Sequence, residues 1–378
     1  MISCQSFFDI LKKYDFTFFT GIPDSTFKDW TKFLADKDGQ KLQNIVPCNE
    51  CEATAIATGY YLATKKIGVI YMQNSGFGKT INPLTSLCDP DVYSIPVLLL
   101  IGWRGEPGKV DEPQHKKMGK VLLPLLETLK VPYNVLEPDV NQIENDCKKA
   151  LIYFKNNQGP YAFIIRSNFF ENYPMKDKVQ FNYELVRDEV INLILDNASE
   201  SDIIVSSTGY ISREVYEYRE ARKKDHNKSF YNVGSMGCAC SIGLSIALQK
   251  SDRRIIVLDG DGAIIMQMGA FTTIGKYSPS NFVHIIFDNN AHESTGGQPT
   301  NSATVNFVKI ALAANYKRGK EIKTKKDLID AIPEIKSEKG PIIFVIKIKM
   351  GTKPNLKRPE KSPIELKQDF IKNLTNVK

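Results

Sequence analysis

Two stretches of this sequence carry residues whose types and spacing could hold a hard metal ion and a phosphate. The first is Gly260-Asp261-Gly262, which ends the β-branched run at 255–258 and precedes a helical pattern that starts at Ala263. Glycines there let the backbone approach a ligand closely, and the free amides of a helix N-terminus suit phosphate. Asp261 adds a hard oxygen donor of the kind Mg2+ or Ca2+ requires. The second is Asp288-Asn289-Asn290-Ala291, which ends the next β-branched run at 283–287. Adjacent parallel strands place their C-terminal ends side by side, where open α/β sheets bind ligands. A carboxylate, an amide oxygen and a backbone carbonyl can therefore converge on one cation. Gly-Asp-Gly alone also makes ordinary turns; the Asn at the end of the following strand is what sharpens it.

Two cysteine clusters are the other candidates for chemistry. Cys48-Asn49-Glu50-Cys51 is a CxxC and Cys238-Ala239-Cys240 is a CxC. Four thiolates could bind zinc, and a CxxC at a strand-to-helix junction could be a redox pair. That is the non-enzyme alternative, a redox or zinc-binding module. Zinc pairs usually come with polar knuckle residues, however, and both clusters here open apolar helices, so small buried hydrophobes are the plainer reading.

The elements that must position these residues alternate along the chain. Short β-branched runs at 16–19, 45–46, 67–72, 97–101 and 161–165 read as buried strands, and 6–14, 52–64, 119–129 and 140–156 as helices. After a polar, aromatic-rich stretch broken by Asn172, Tyr173 and Pro174, the pattern resumes. Strands are expected at 203–206, 229–231, 255–258, 283–287 and 341–347, with helices at 213–223, 237–249, 263–277 and 324–332. Such alternation predicts an α/β fold of two doubly wound parallel-sheet domains. The expected divisions are a first domain at 1–170, a linker at 171–184, a second domain at 185–350 and a basic tail at 351–378, with a short helix near 364–374.

Bulk properties are those expected of a soluble globular protein. The chain has 378 residues, 42% hydrophobic and 25% charged, with a formal net charge of +7. No basic run with interleaved aromatics marks a nucleic-acid surface. The N-terminus has no basic start followed by an apolar stretch, and the apolar run at 96–101 is far too short to cross a bilayer. Seven scattered cysteines fit a reducing compartment, so the expected location is cytoplasmic, with no membrane and no nucleic-acid partner.

The Gly-Asp-Gly and Asn pair resembles the cofactor motif of the thiamine-diphosphate-dependent 2-oxo-acid decarboxylases. The resemblance implies that Asp261 and Asn289 bind Mg2+, with the Ala291 carbonyl as third ligand and Asn290 as an alternative to Asn289. It also implies that Gly260, Gly262, Ala263, Ser294 and Thr295 hold diphosphate oxygens, with Thr208 and Gly209 beside them. In Asn232-Val233-Gly234-Ser235-Met236-Gly237, Met236 matches the apolar residue that bends the cofactor, next to Ser235, and the Gly234 carbonyl would accept its amine. The stretch from Pro47 to Tyr60 is similar to the pyrimidine-binding motif, which makes Glu50 the catalytic carboxylate. Such a Glu must protonate a ring nitrogen, and an apolar pocket raises its pKa for that task. The alternative for Glu50 is an ordinary first-turn acidic residue. In the family, a pyrimidine-binding and a diphosphate-binding half from different chains make one site, which implies at least a homodimer.

A longer set of matches is similar to the branch of that family acting on 3-phosphonopyruvate. It comprises Gly21-Ile22-Pro23-Asp24-Ser25, residues 71–76 and 82–87, Trp103-Arg104-Gly105-Glu106-Pro107-Gly108, Asp111-Glu112-Pro113-Gln114-His115, residues 208–214 and residues 292–298. This implies decarboxylation of a small, highly anionic 2-oxo acid to phosphonoacetaldehyde and CO2, in phosphonate biosynthesis. A phosphonate tail calls for cations and amides, which makes Arg104 and His115 candidates in a loop after a strand end. Asp24 is a candidate proton shuttle, His115 is a further catalytic candidate, and Ser25, Gln73, Asn74 and Ser75 are candidate pocket donors. The rivals are a sulfopyruvate decarboxylase, whose two halves are often separate chains, and a related carboligase.

Overall fold

Strands apolar on both faces need helices on both faces, and that requirement organises each half of the chain. The computed structural model describes residues 1–174 and 181–375. Residues 175–180 of the expected linker and 376–378 of the expected tail lie outside the described residues. The chain divides into two units, Met1–Lys178 with Thr295–Gln298, and Val179–Ser294 with Pro299–Lys378. The stretch after 350, expected as a separate tail, is therefore part of the second unit.

The first unit contains β1 (Phe18–Gly21), β2 (Gln43–Ile45), β3 (Gly68–Gln73), β4 (Val97–Gly102), β5 (Tyr133–Val135) and β6 (Pro160–Ile165). Its helices are α1 (Cys4–Lys13), α2 (Lys28–Lys37), α3 (Glu50–Thr64), α4 (Phe77–Pro83), α5 (Pro113–Thr128) and α6 (Val140–Asn157). All six strands run parallel in the order β2-β1-β3-β4-β6-β5. Every residue of β4 and β6 is buried, as a sheet covered on both faces requires. One face packs an aromatic cluster around Trp30, with Phe7, Phe33 and Phe170 against its ring. The other packs Ala53 and Ala57 of α3 with Phe77, Leu99 and Leu122.

The second unit repeats the plan. It has β7 (Ile203–Ser206), β8 (Ser229–Tyr231), β9 (Ile255–Gly260), β10 (Phe282–Asp288), the two-residue strands β11 (Ala291–His292) and β12 (Gln298–Pro299, its Gln298 grouped with the first unit), β13 (Arg318–Ile322) and β14 (Ile342–Lys347). Its helices are α7 (Arg187–Asn197), α8 (Tyr210–Ala221), α9 (Ala239–Gln249), α10 (Asp261–Met266), α11 (Ala270–Tyr277), α12 (Phe307–Ala313), α13 (Lys325–Ser337) and α14 (Pro363–Thr375). The six-stranded sheet runs β13-β14-β10-β9-β7-β8. Numbered from its own first strand, this is the first unit's order read from the other edge. In both units the third and fourth strands are neighbours beside the point where strand order reverses, the crevice where such sheets bind ligands.

Two expectations need correction. The helix expected at 263–277 is two: α10 is buried on every side, the chain leaves helical geometry at Gln267 (φ −134°), and α11 begins after Gly269. A fully buried turn of helix and an amphipathic surface helix cannot share one axis and face. His115, expected in a loop, lies in the first turn of α5, which starts at Pro113, a residue suited to the first helical position. Among the described residues no helix is long and apolar enough to cross a membrane.

Candidate active site

Three strand ends of the first unit deliver polar groups to one place. After β1, Asp24 accepts the Thr26 amide on Oδ1 at 2.8 Å and so caps the turn Ser25–Phe27. After β3, Gln73 donates to the other oxygen of Asp24 and accepts the Ser75 hydroxyl at 2.5 Å. Asn74, fully buried, brackets the exit of β4: its Nδ2 donates to the Arg104 carbonyl at 2.8 Å and its Oδ1 accepts the Arg104 amide at 3.3 Å. The Arg104 guanidinium is already engaged. It pairs with both oxygens of Asp111, at 2.9 and 2.6 Å, and donates to Ser25 Oγ at 2.6 Å. His115 is half-buried, its Nδ1 has no hydrogen-bond partner, and burial, then Arg104, hold its pKa below the ordinary value. Both favour the neutral imidazole.

Glu50 sits beside this group. It is the first residue of α3, yet the cap is made by Asn49, whose side chain accepts the Glu52 amide at 3.1 Å. The Glu50 carboxyl is thus free of the capping role that first-turn acidic residues often take. It is 6% exposed, and its Oε2 makes no hydrogen bond. Burial raises its pKa; Lys79, with Nζ 3.9 Å from Oε2, opposes the rise, and Asp24 adds to it. Gly76 makes room for it, since a Cβ there would lie 2.2 Å from Oε1. Lys79 carried no signal in the sequence, and Gly76 and Asp111 carried none beyond their place in the motifs quoted above.

The second unit gathers its groups at the ends of β9 and β10. In-register pairing of Phe287 with Gly260 places Asp288 beside Asp261. Asp261, the first residue of α10, is buried and accepts the Thr300 hydroxyl on Oδ2 at 2.5 Å. Burial, with the charge of Asp288 second, pushes its pKa up to about 7. Asp288 pairs with Lys347 Nζ at 2.5 Å and accepts Ser302 Oγ at 2.8 Å. Asn290 is spent on structure: its amide takes the Tyr183 hydroxyl at 2.6 Å and donates to Ser302 at 2.6 Å, with a left-handed backbone (φ 58°). Asn289 keeps a simpler set, Nδ2 to Glu293 at 3.0 Å and Oδ1 from the Ala291 amide at 3.0 Å. Thr300, Ser302 and Lys347 went unnoticed in the sequence because no motif or period links them to Asp261, and Asp288 stood out only as the first residue of the asparagine motif.

The Asn232 turn joins the same end. Asn232 clamps it by accepting the Ser235 amide at 3.1 Å and donating to the Ser235 carbonyl at 2.6 Å. Met236 is half-buried in it, its amide donating to the Gly234 carbonyl at 3.0 Å. Gly237, at φ 82°, lies against α10, where a Cβ would stand 2.9 Å from the Ala263 carbonyl. Gly209, next to Thr208, faces Ser294, 3.9 Å from where its Cβ would be. Thr295 parts from Ser294 and groups with the first unit, as does Gln298, whose Nε2 donates to Thr31 at 2.6 Å.

The cysteines show no such convergence. Cys48 donates its thiol to Glu52 at 2.6 Å, and burial with that carboxylate pushes its pKa up to about 11. Burial pushes Cys240 up to about 12. Neither is poised as a thiolate, and among the described residues no three His, Cys, Asp or Glu gather as a metal cage.

Comparison with known proteins agrees with this division of labour. Residues 3–121 match the family described as thiamine pyrophosphate enzyme, N-terminal TPP binding domain, and residues 207–346 the corresponding C-terminal TPP binding domain. The chain is 31% identical to a phosphonopyruvate decarboxylase of Streptomyces viridochromogenes and 33% identical to one of Streptomyces hygroscopicus, each time over 85% of this chain and 82% of the relative. A sulfopyruvate decarboxylase of Methanosarcina acetivorans is 28% identical over 92% of both chains. That match spans both halves of the relative, so a fused chain does not by itself separate the two substrates. With both TPP-binding domains and this likeness along most of its length, the chain belongs to the phosphonopyruvate decarboxylase family of thiamine-diphosphate-dependent enzymes.

Proposed function

We propose that the chain decarboxylates 3-phosphonopyruvate to phosphonoacetaldehyde and CO2, with thiamine diphosphate held through Mg2+, as a step of phosphonate biosynthesis. The observation that carries the cofactor part is the Glu50 carboxyl, buried with an oxygen that has no hydrogen-bond partner. A buried polar atom left unpaired costs about 1–3 kcal/mol, and a ring nitrogen that accepts or shares a proton removes that cost. The second unit fits the other end. Asp261 and Asp288 are two buried carboxylates, of which Asp288 is paired with Lys347, and a divalent cation supplies the missing positive charge.

When bound, thiamine diphosphate supplies the electron sink for loss of CO2. Glu50 holds a proton at its carboxyl and shares it with the pyrimidine ring. Asp261, the Asn289 amide oxygen and the Ala291 carbonyl hold Mg2+. Gly260, Gly262, Ala263, Ser294 and Thr295 bind the diphosphate, with Thr208 and Gly209 adjoining, while Met236, Ser235 and the Gly234 carbonyl shape the ring's seat. Asp24, linked to Gln73, moves a proton to the product carbon. Ser25, Asn74, Ser75, Arg104 and His115 receive the anionic tail. Arg104 already answers to Asp111, so Lys79, partly exposed beside Glu50, adds a second cation for a doubly charged tail. We also propose at least a homodimer whose chains share sites, in a cytoplasmic setting.

The substrate rests on 31% and 33% identity to the two Streptomyces enzymes along 85% of the chain, against 28% for the Methanosarcina enzyme along 92%; sulfopyruvate is the second reading, supported by that longer match. Purified protein with Mg2+ and thiamine diphosphate is given phosphonopyruvate, sulfopyruvate or pyruvate, and CO2 release is followed. The expected order is phosphonopyruvate first. Faster release from sulfopyruvate would overturn the assignment, and release from none would overturn the activity.

A further inference from the structure

An asparagine amide has two ends, and whatever holds one end decides which faces a cation. Asn289 Nδ2 donates to Glu293 Oε2 at 3.0 Å. Its Oδ1 can accept two hydrogen bonds or ligands, and the Ala291 amide uses one. Glu293 is itself held. Arg187, the first residue of α7, donates from Nη1 to Glu293 Oε2 at 2.5 Å, and the Gly351 amide donates to Oε1. Arg187 also makes a two-pronged pair with Glu214 of α8, at 2.8 and 2.9 Å, donates to the Gly351 carbonyl at 3.4 Å, and lies 5.3 Å from the Tyr210 ring centre. Arg187 and Glu214 are each 4% exposed. Two carboxylates on one buried guanidinium leave a net negative charge, costly unless other donors share it. The donors that share it here are the Asn289 amide and the Gly351 amide.

We propose that Glu293 is a positioning residue for the metal. It locks Asn289 with its oxygen toward the cation, and through Gly351 it couples the segment after β14 to metal binding. This rests on the reading of Asp261 and Asn289 as Mg2+ ligands. Partners that orient a ligand typically change metal affinity about 10- to 100-fold when removed. Coupling between sites is reciprocal, so metal binding must in turn steady the Gly351 segment.

Glu293→Ala is the test, because it leaves Arg187 and Glu214 as a neutral pair. Calorimetric titration of Mg2+ in the presence of thiamine diphosphate is expected to show about 10- to 100-fold weaker binding. In the wild type, amide hydrogen exchange across residues 349–357 is expected to slow when Mg2+ and thiamine diphosphate are added; in the variant it is not. Glu293→Gln, which keeps the volume and one acceptor, should fall between the two and covers the case in which the alanine variant fails to fold. Wild-type Mg2+ affinity in the folded variants overturns the positioning role, and metal-independent exchange in the wild type overturns the coupling. Asp261→Asn is run alongside. If it too binds Mg2+ like the wild type, the metal reading itself falls; if it loses binding while the Glu293 variants keep theirs, only the role of Glu293 falls.

Discussion

At the scale of single residues, the catalytic role proposed for Glu50 and its contribution to stability pull in opposite directions. Its pKa is raised by burial, only partly opposed by Lys79. The folded chain therefore holds that proton more tightly than the unfolded chain does. Linkage then makes the contribution of Glu50 least favourable above its folded pKa, and the cost disappears as pH falls below the ordinary carboxylate value of about 4.3. Glu50→Gln is expected to slow turnover by roughly 10²–10⁴ and, without ligands, to melt a few degrees higher than wild type at neutral pH. The two melting curves should converge near pH 4; a variant that melts lower at neutral pH would show that the ionised carboxyl is a net stabiliser. Residue type and spacing pointed to Asp261 and the Asn289-Asn290 pair, and the family resemblance pointed to Glu50. They could not distinguish Asn289 from Asn290, because the contacts in which the two differ, with Tyr183 and Ser302, are distant in sequence. Nor could they show that Arg104 is matched by Asp111, although the two stand only seven residues apart.

At the scale of elements, the position of the Glu50 carboxyl depends on how closely α4 approaches α3. Gly76 has an ordinary helical backbone (φ −75°, ψ −19°), so alanine is allowed there by conformation. The obstacle is the carboxyl itself, 2.2 Å from the added Cβ to Oε1. Overpacking of this kind costs about 1–3 kcal/mol. Gly76→Ala should therefore lower the melting midpoint and cut CO2 release by at least about tenfold, since a misplacement near 1 Å can cost more than that. Turnover equal to wild type would mean that Glu50 has slack. The interior strands were legible because each is a continuous apolar run: β7 stands where the pattern put it, β4 differs by one residue at one end and β10 by one at each end. Of the edge strands, β8 also stands where expected, but β13 and β5 were not legible. β13 reads Arg318-Gly-Lys-Glu-Ile322, an edge strand protected by charge, and β5 is three residues long. The helices α2, α7 and α12 begin in stretches that look like loops, and only packing against a sheet makes them helical.

For the whole molecule, one sheet plan is used twice, with opposite chemistry placed at the same strand ends. The third and fourth strands of the first unit lead to Gln73 and Arg104, and those of the second lead to Asp261 and Asn289. This division implies that ligand-free stability and ligand binding pull in opposite directions in the second unit. Asp261 is raised to about 7 by burial and by Asp288, so the stability of the ligand-free fold declines as pH rises from near 4 through about 7. Asp261→Asn keeps the shape and removes the charge. Without ligands at pH 8 the variant is expected to melt above the wild type. Adding Mg2+ and thiamine diphosphate at a hundredfold excess over the dissociation constant stabilises a binding-competent fold by about 2.7 kcal/mol. The wild type should gain that increment and the variant almost none, so the order of the two melting points is expected to reverse. Differential scanning calorimetry with and without the ligands reads both halves of the prediction. A variant that gains as much as the wild type would show that the cation does not depend on Asp261, and would remove the reason for two carboxylates to be buried side by side at the end of β9 and β10.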